Sequence, residues 1–140
     1  MIAVTRVVRF SAASRLYRED WTEERNREAF GIAARPYPTA REYRLEVTLR
    51  GDPDPVTGMV INLRDVNTVV RQRVVDHLEN RYLNQDIPRF AHALPTPEAL
   101  VLYIVDRLEG AFPGARLHRV RLWETEDDAV EWEEGPICSP

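Results

Sequence analysis

The sequence predicts an α+β domain: a four-stranded antiparallel sheet with two helices on one face, in the order strand, strand, helix, helix, strand, strand. Three observations predict it. Apolar and polar residues roughly alternate over residues 2 to 13 and more cleanly over 42 to 50, the period-two signature of half-buried strands. The apolar period lengthens to helical spacing in two later stretches, starting near Asp65 and Thr96. Period two then returns at His118 to Glu124, with a short stretch at Ala129 to Glu133. Neighbours joined by tight turns pair antiparallel, which leaves both helices on one face.

In the first strand Val4, Val8, Phe10 and Ala12 share a side, opposite Thr5, Arg9 and Ser11, while Arg6 and Val7 break the pattern. The polar segment Tyr17 to Glu28 contains Asp20-Trp21-Thr22-Glu23-Glu24, a short helix start with Thr22 as its cap. In the second strand Tyr43, Leu45, Val47 and Leu49 share a face, opposite Glu42, Arg44, Glu46 and Arg50. A Pro/Asp-rich turn at Gly51 to Gly58 leads into Met59-Val60-Ile61-Asn62-Leu63, expected as strand. Asp65 is the expected cap of a helix carrying Val66, Val69, Val70, Val74, His77 and Leu78 at helical spacing. Thr96 followed by Pro97 is a cap and first-turn signal for a helix with Leu100, Ile104, Val105 and Leu108, ended by Phe112-Pro113-Gly114.

At 140 residues the chain is expected to form a single domain over 1–140, with a loose tail from about residue 134. A formal net charge of -4 with acids and bases interspersed offers no basic patch for nucleic acid. No apolar run is long enough to span a bilayer, so no membrane partner is expected. The single cysteine, Cys138, lies in the tail and cannot form an internal disulfide. With no signal-peptide pattern at Met1, the expected location is cytoplasmic.

The segment Phe30-Gly31-Ile32-Ala33-Ala34-Arg35-Pro36-Tyr37-Pro38-Thr39-Ala40-Arg41-Glu42-Tyr43-Arg44-Leu45-Glu46-Val47 aligns without a gap on F-G-x-C-N-N-P-N-G-H-G-H-N-Y-x-L-E-V. Further matches follow in order: Phe10-Ser11-Ala12-Ala13-Ser14, Thr57-Gly58-Met59-Val60-Ile61-Asn62-Leu63, Leu83-Asn84, Pro95-Thr96-Pro97-Glu98 and Glu124-Thr125. Together they resemble the 6-pyruvoyl-tetrahydropterin and 6-carboxytetrahydropterin synthases from Phe10 to about Trp132. The resemblance implies the tunnelling fold, in which protomers join edge to edge into a closed barrel, and hence a homo-oligomer, trimer or hexamer.

The resemblance keeps the frame and loses the chemistry. The family's nucleophilic cysteine falls on Ala33, and its three zinc histidines fall on Ser14, Thr39 and Arg41. Neutral hydroxyls are poor zinc ligands, and a guanidinium does not deprotonate to become one. No metal and no other cofactor is therefore expected. The family's aspartate-histidine relay falls on Glu79-Asn80, and an amide has no useful proton affinity near neutrality. Asp76-His77, three residues earlier, is too far displaced to replace it, and His77 sits on the apolar stripe, where a packed histidine is expected. The other two histidines, His92 and His118, lie elsewhere.

The pterin anchors of the family fall on Thr96, Glu98 and Glu124, all retained. A carboxylate accepts the two parallel N–H donors of an aminopyrimidine edge as a pair. Thr96 also reads as a simple helix cap, and Glu98 as a first-turn acid favoured by the helix dipole. Glu124 lies on the face of Val120 and Leu122, where an acid needs a partner. Arg41 places a fixed positive charge where the family holds a metal, and grips either a ligand anion or a structural acid from another strand. Glu42 and Glu46 point to the opposite face.

The resulting expectation is a divergent, metal-free relative that binds a small polar or heterocyclic molecule. Glu124 and Glu98 would lie at one end of its pocket, and Arg41, Ser14 and Thr39 at the other. Acid–base chemistry by the Glu124 carboxylate, with Tyr43 or Tyr37 donating a proton and Arg41 gripping the ligand's anionic group, would make it a repurposed lyase, isomerase or cyclase. The alternatives are an inactive ligand-binding or assembly protein, and a genuine synthase acting on dihydroneopterin triphosphate.

Overall fold

The computed structural model describes residues 1–136; Cys138 lies outside them. Two long strands dominate it. Strand β1 (Ile2–Ser14) and strand β2 (Thr39–Gly51) pair antiparallel along their whole length, from Ile2 opposite Gly51 to Ser14 opposite Thr39. Between them lie helix α1 (Glu23–Phe30) and a 3-10 turn (Gly31–Ala34). Thr22 caps α1, its hydroxyl accepting from the Arg25 N–H at 3.1 Å, as its position before two glutamates predicts.

The segment Met59–Leu63 is not a strand. Residues 59–62 form an irregular connection, and Asn62, not Asp65, caps helix α2 (Leu63–Val70), accepting the Arg64 N–H at 2.9 Å. Asp65 instead occupies the first turn, where a negative charge complements the helix dipole. The helix continues through a π-helical stretch (Arg71–Val75) into α3 (Asp76–Leu78). Of its expected inner positions, Val66, Val70, Val74 and Leu78 are buried, while Val69 and His77 are half-buried.

Asn80 then adopts φ 59°, a left-handed conformation that asparagine tolerates better than most residues. Its N–H donates to the Ser11 carbonyl at 2.7 Å, which starts a two-residue strand β3 (Arg81–Tyr82) parallel to β1. The sheet therefore has five strands rather than four, in the order β3-β1-β2-β4-β5, and is mixed at one edge. A strand of two residues has no periodicity, so the sequence pattern could not announce it.

Short helix α4 (Leu83–Asp86) precedes the main helix α5 (Pro97–Leu108), which Thr96 caps by accepting the Ala99 N–H at 3.1 Å. Strands β4 (Arg116–Trp123) and β5 (Ala129–Glu133) complete the sheet. The long helices cover one face, burying Leu45, Val47, Leu49, Val120 and Leu122 against Val70, Leu100, Ile104 and Leu108, all fully inaccessible. The other face is charged and cross-linked by ion pairs, including Arg44–Glu46 and Arg121–Glu131, each at 2.7 Å. Glu134, expected at the start of a loose tail, is pinned by Arg50 at 2.7 Å and Arg116 at 3.0 Å.

One clamp fixes the chain just beyond Ser14. Asn84 accepts the Arg15 N–H at 2.9 Å and donates to the Arg15 carbonyl at 2.8 Å. Asn84→Ala removes both bonds and leaves partly buried backbone groups unpaired. Urea denaturation should show a loss of about 1–3 kcal/mol, and an unchanged midpoint would refute the clamp.

Candidate functional site

The β1–β2 register brings Ser14 opposite Thr39, Ala12 opposite Arg41 and Phe10 opposite Tyr43. These side chains share the helix-covered face at the end of the sheet where β2 begins. Strand β4 approaches from the other side, with Trp123 opposite Arg44. Glu124 follows directly, its N–H donating to the Asp128 carbonyl at 3.0 Å in the turn to β5.

Arg41 and Glu124 meet. The Arg41 Nε lies 2.9 Å from Glu124 Oε1, with the two side chains 26% and 27% exposed. An acid from another strand is thus the partner of Arg41, as the alternation of β2 requires, while Glu46 on the opposite face pairs with Arg44. The expected separation of Glu124 and Arg41 to opposite ends of a pocket is not what the fold builds: their charges are in contact. Glu124 is also less buried than its period suggests, because β4 has ended one residue earlier.

Tyr43 packs beneath this pair. It is 3% exposed and stacks on Phe10 with ring centroids 5.2 Å apart. Burial pushes its phenol up to about 12, the Glu124 carboxylate adds to the shift, and Arg41 and a hydrogen bond with Ser14 oppose it. The phenol therefore stays protonated throughout the neutral range. Ser14 is buried as well, and the Thr39 hydroxyl is enclosed without a hydrogen-bond partner.

Next to the ion pair, Glu98 and Glu124 line one cavity of about 160 Å³ together with Pro97, Asp128, Ala129 and Val130. Glu98 is exposed, and Thr96 stands behind it at the helix cap, its hydroxyl oxygen already accepting the Ala99 N–H. Ser14 and Thr39 do not line this cavity. Asp128 is the residue that sequence reasoning missed. Its carboxylate accepts from the Thr125 hydroxyl at 2.9 Å, and the only hint is the acidic run Glu124 to Asp128 between two strands.

The remaining sequence candidates hold structural posts. Ala33 lies in the 3-10 turn, its carbonyl accepting the Leu16 N–H at 2.9 Å. Asn80 is the helix exit described above, and Glu79 lies 3.4 Å from the Ser11 N–H. His77 is half-buried, with Nε2 at 2.6 Å from the Tyr103 hydroxyl and its ring stacked on that tyrosine. Burial, with Arg107 and Arg81 nearby, holds its imidazole below the usual range and thus towards the neutral form. His118 lies beside Glu134 at 3.2 Å and His92 is in an exposed loop.

The residues at the implied metal position do not fit zinc. Ser14 and Thr39 offer neutral hydroxyls, and Arg41 is a cation already held by Glu124. Among the described residues, no group of three or more His, Cys, Asp or Glu side chains is arranged to hold a metal ion.

A family model for 6-pyruvoyl tetrahydropterin synthase matches residues 3–135. The chain belongs to the 6-pyruvoyl tetrahydropterin synthase family. It is 38% identical to a 6-pyruvoyl tetrahydrobiopterin synthase of Poecilia reticulata over 127 residues, covering 91% of this chain and 86% of that one. With the Homo sapiens protein of the same name it shares 35% identity over 127 residues, 91% and 88% of the two chains. The solved Caenorhabditis elegans 6-pyruvoyl tetrahydropterin synthase superposes with a TM-score of 0.87 at 28% identity, over 96% of each chain. A Plasmodium vivax synthase structure, at 14% identity and a TM-score of 0.63 over 97% and 100% of the chains, shares the fold. Family membership and the α+β tunnelling fold are as the sequence implied. No helix is long and apolar enough to cross a membrane among the described residues.

The buried phenol predicts a pH dependence. Below pH 10 Tyr43 is protonated whether the chain is folded or not, and its contribution is fully present. As pH rises from about 10 towards 12, the unfolded chain ionises first and stability falls, by on the order of 2 kcal/mol. Equilibrium unfolding across this range should show that loss in the native sequence and a flatter profile in Tyr43→Phe.

Proposed function

We propose that this family member works without a metal, binding a small polar or heterocyclic molecule at the cavity shared by Glu98 and Glu124. Acid–base chemistry there would be that of a lyase, isomerase or cyclase rather than zinc-dependent elimination. The observation that carries this is the Arg41–Glu124 contact of 2.9 Å beside an acid-lined cavity. Arg41 orients Glu124 and keeps a permanent positive charge at the rim, which a metal would otherwise supply. Glu98, exposed and free of capping duty, accepts the paired N–H donors of an aminopyrimidine edge. Glu124 takes up or returns a proton at the ligand, and Thr96 keeps a hydroxyl proton to donate. The neutral Tyr43 phenol and Ser14 hold the floor of the site in place.

A cavity of about 160 Å³ in one protomer is smaller than the range of roughly 300–1,000 Å³ usual for ligand sites. Edge-to-edge assembly supports a larger one. The outer edge of β1 pairs with β3 only at Ala12 and Ala13, and β5 carries no further strand among the described residues. Exposed strand edges are templates for pairing with another chain. A homo-oligomeric barrel, trimeric or hexameric and cytoplasmic, uses both edges and adds a second protomer's residues to the cavity.

The names of the relatives favour a second reading, in which the chain catalyses a 6-pyruvoyl tetrahydropterin synthase reaction. Ala33 and the set Ser14, Thr39 and Arg41 oppose it, since thiolate and imidazole are both missing there. An ion pair that merely closes the site would instead leave a protein kept for assembly.

Titration with pterins, other aminopyrimidines and small carboxylates separates these possibilities. At least one ligand should bind the native protein about tenfold or more tightly than an Arg41→Ala, Glu124→Gln double variant; equal binding throughout sinks the pocket. Elemental analysis after exposure to zinc should find far less than one ion per protomer, and chelator should leave the melting temperature unchanged. The triple variant Ser14→His, Thr39→His, Arg41→His should retain zinc. Stoichiometric zinc in the native protein, or turnover of dihydroneopterin triphosphate, would instead establish the synthase reading.

A further inference from the structure

The open, helix-free face of the sheet carries a second constellation that the Arg41–Glu124 site does not use. One row across the strands reads Arg9, Arg44, Trp123, each directly opposite the next. These three residues, with Glu42 and Glu126, line a cavity of about 420 Å³. Two arginines directly opposite on neighbouring strands repel each other, which is an unfavourable arrangement unless something answers the charge. Glu46 answers part of it, accepting from the Arg44 Nη2 at 2.7 Å. The rest is unanswered: Arg9 has no ion-pair partner among the described residues, and the buried Arg44 Nε and Trp123 Nε1 have no acceptor. Enclosed donors without acceptors are costly to a fold and point to a missing acceptor.

The two acids are in the mirror situation. Glu42 and Glu126 are exposed and pair with no cation among the described residues, although Arg9 and Arg44 line the same cavity. Charges of both signs therefore face a common space without neutralising one another. Counting Arg9 and Arg44 against Glu42 and Glu126, the lining carries no net charge, so a bare anion gains little from the field. A molecule carrying both signs gains from each side.

We propose that this cavity binds a small amino carboxylate, an amino-acid-like zwitterion. Its carboxylate accepts from the Trp123 indole N–H, the Arg44 Nε–H and Arg9. Its ammonium donates to Glu42 and Glu126. The Trp123 ring, with the Arg44 guanidinium 5.0 Å from its centroid, gives the apolar part of the ligand a flat wall. Its ligand-binding side chains lie on the other face of the sheet from Arg41 and Glu124, and Tyr43 borders both sites.

Titrate the intact protein with L-phenylalanine, using acetate and ethylammonium as single-charge controls. Follow binding by calorimetry and by the indole N–H resonance of Trp123, assigned through Trp123→Phe. Phenylalanine should saturate the protein below about 10 mM and bind about tenfold more tightly than either control, moving that resonance as it does so. Arg9→Gln and Glu126→Gln alter exposed side chains and preserve folding, and each should weaken binding about fivefold or more. The proposal is overturned by no saturation with phenylalanine, by either single-charge control binding as tightly as phenylalanine, or by affinity unchanged in both single variants. Saturation with the Trp123 resonance unmoved also overturns it, because the ligand is then elsewhere.

Discussion

Everything at the candidate site depends on the register of the β1–β2 ladder. The two strands pair from end to end without a slip, and the Thr5 and Thr48 hydroxyls meet across it at 2.8 Å. Because side chains alternate, a shift of one residue in β2 would turn Arg41 and Tyr43 out to the charged face and bring Glu42 and Arg44 under the helices. The apolar residues Tyr43, Leu45, Val47 and Leu49 hold that register against a one-residue slip, which exposes all four at once. The one irregularity in the neighbouring ladder, between Thr48 and Leu49 on β2, lies towards the far end. At the near end Glu124 keeps the place from which it meets Arg41.

Charge plays a different part from apolar burial in this molecule. The nineteen basic residues are all arginine, so every cationic contact is made by a planar, permanently charged fork. Most of these contacts are partly exposed and each contributes little to stability. Their effect is orientational. Arg41 fixes Glu124, Arg50 and Arg116 tie down Glu134, and Arg121 links Glu46 to Glu131 across three strands. The fold itself is held by the cluster between the sheet and helices α2 and α5. Ser14, Thr39 and Arg41 lie outside that cluster, so the architecture does not rest on the residues at those positions.

Much of the fold was legible because its signals are local. Thr22 and Thr96 cap the helices their sequence positions announce, and the strand alternation of 42 to 50 matches the buried face. Met59 to Leu63 misled because a run of apolar residues does not distinguish a strand from a connection packed on one. Its Asn62 is a better cap than Asp65 since it stands immediately before the helical period. Strand β3 depends on Asn80 taking a left-handed turn towards Ser11, a contact between residues far apart in the chain. At the site, alternation alone excluded Glu42 and Glu46 as partners of Arg41, but it could not choose Glu124 among the acids of other strands. Asp128 was illegible for the same reason.

By itself the sequence determined the α+β class, the apolar faces, the helix caps, the family, and the absence of thiol and imidazole at Ala33, Ser14, Thr39 and Arg41. These follow from residue identity and short-range periodicity, which act within a few positions along the chain. Only the tertiary structure decided that Arg41 meets Glu124, that Tyr43 lies buried beneath them, and that Arg9, Arg44 and Trp123 align across the opposite face. Those neighbours come from separate strands, and strand order and pairing register are properties of the packed sheet, set by the collective burial of its apolar face rather than by any one segment.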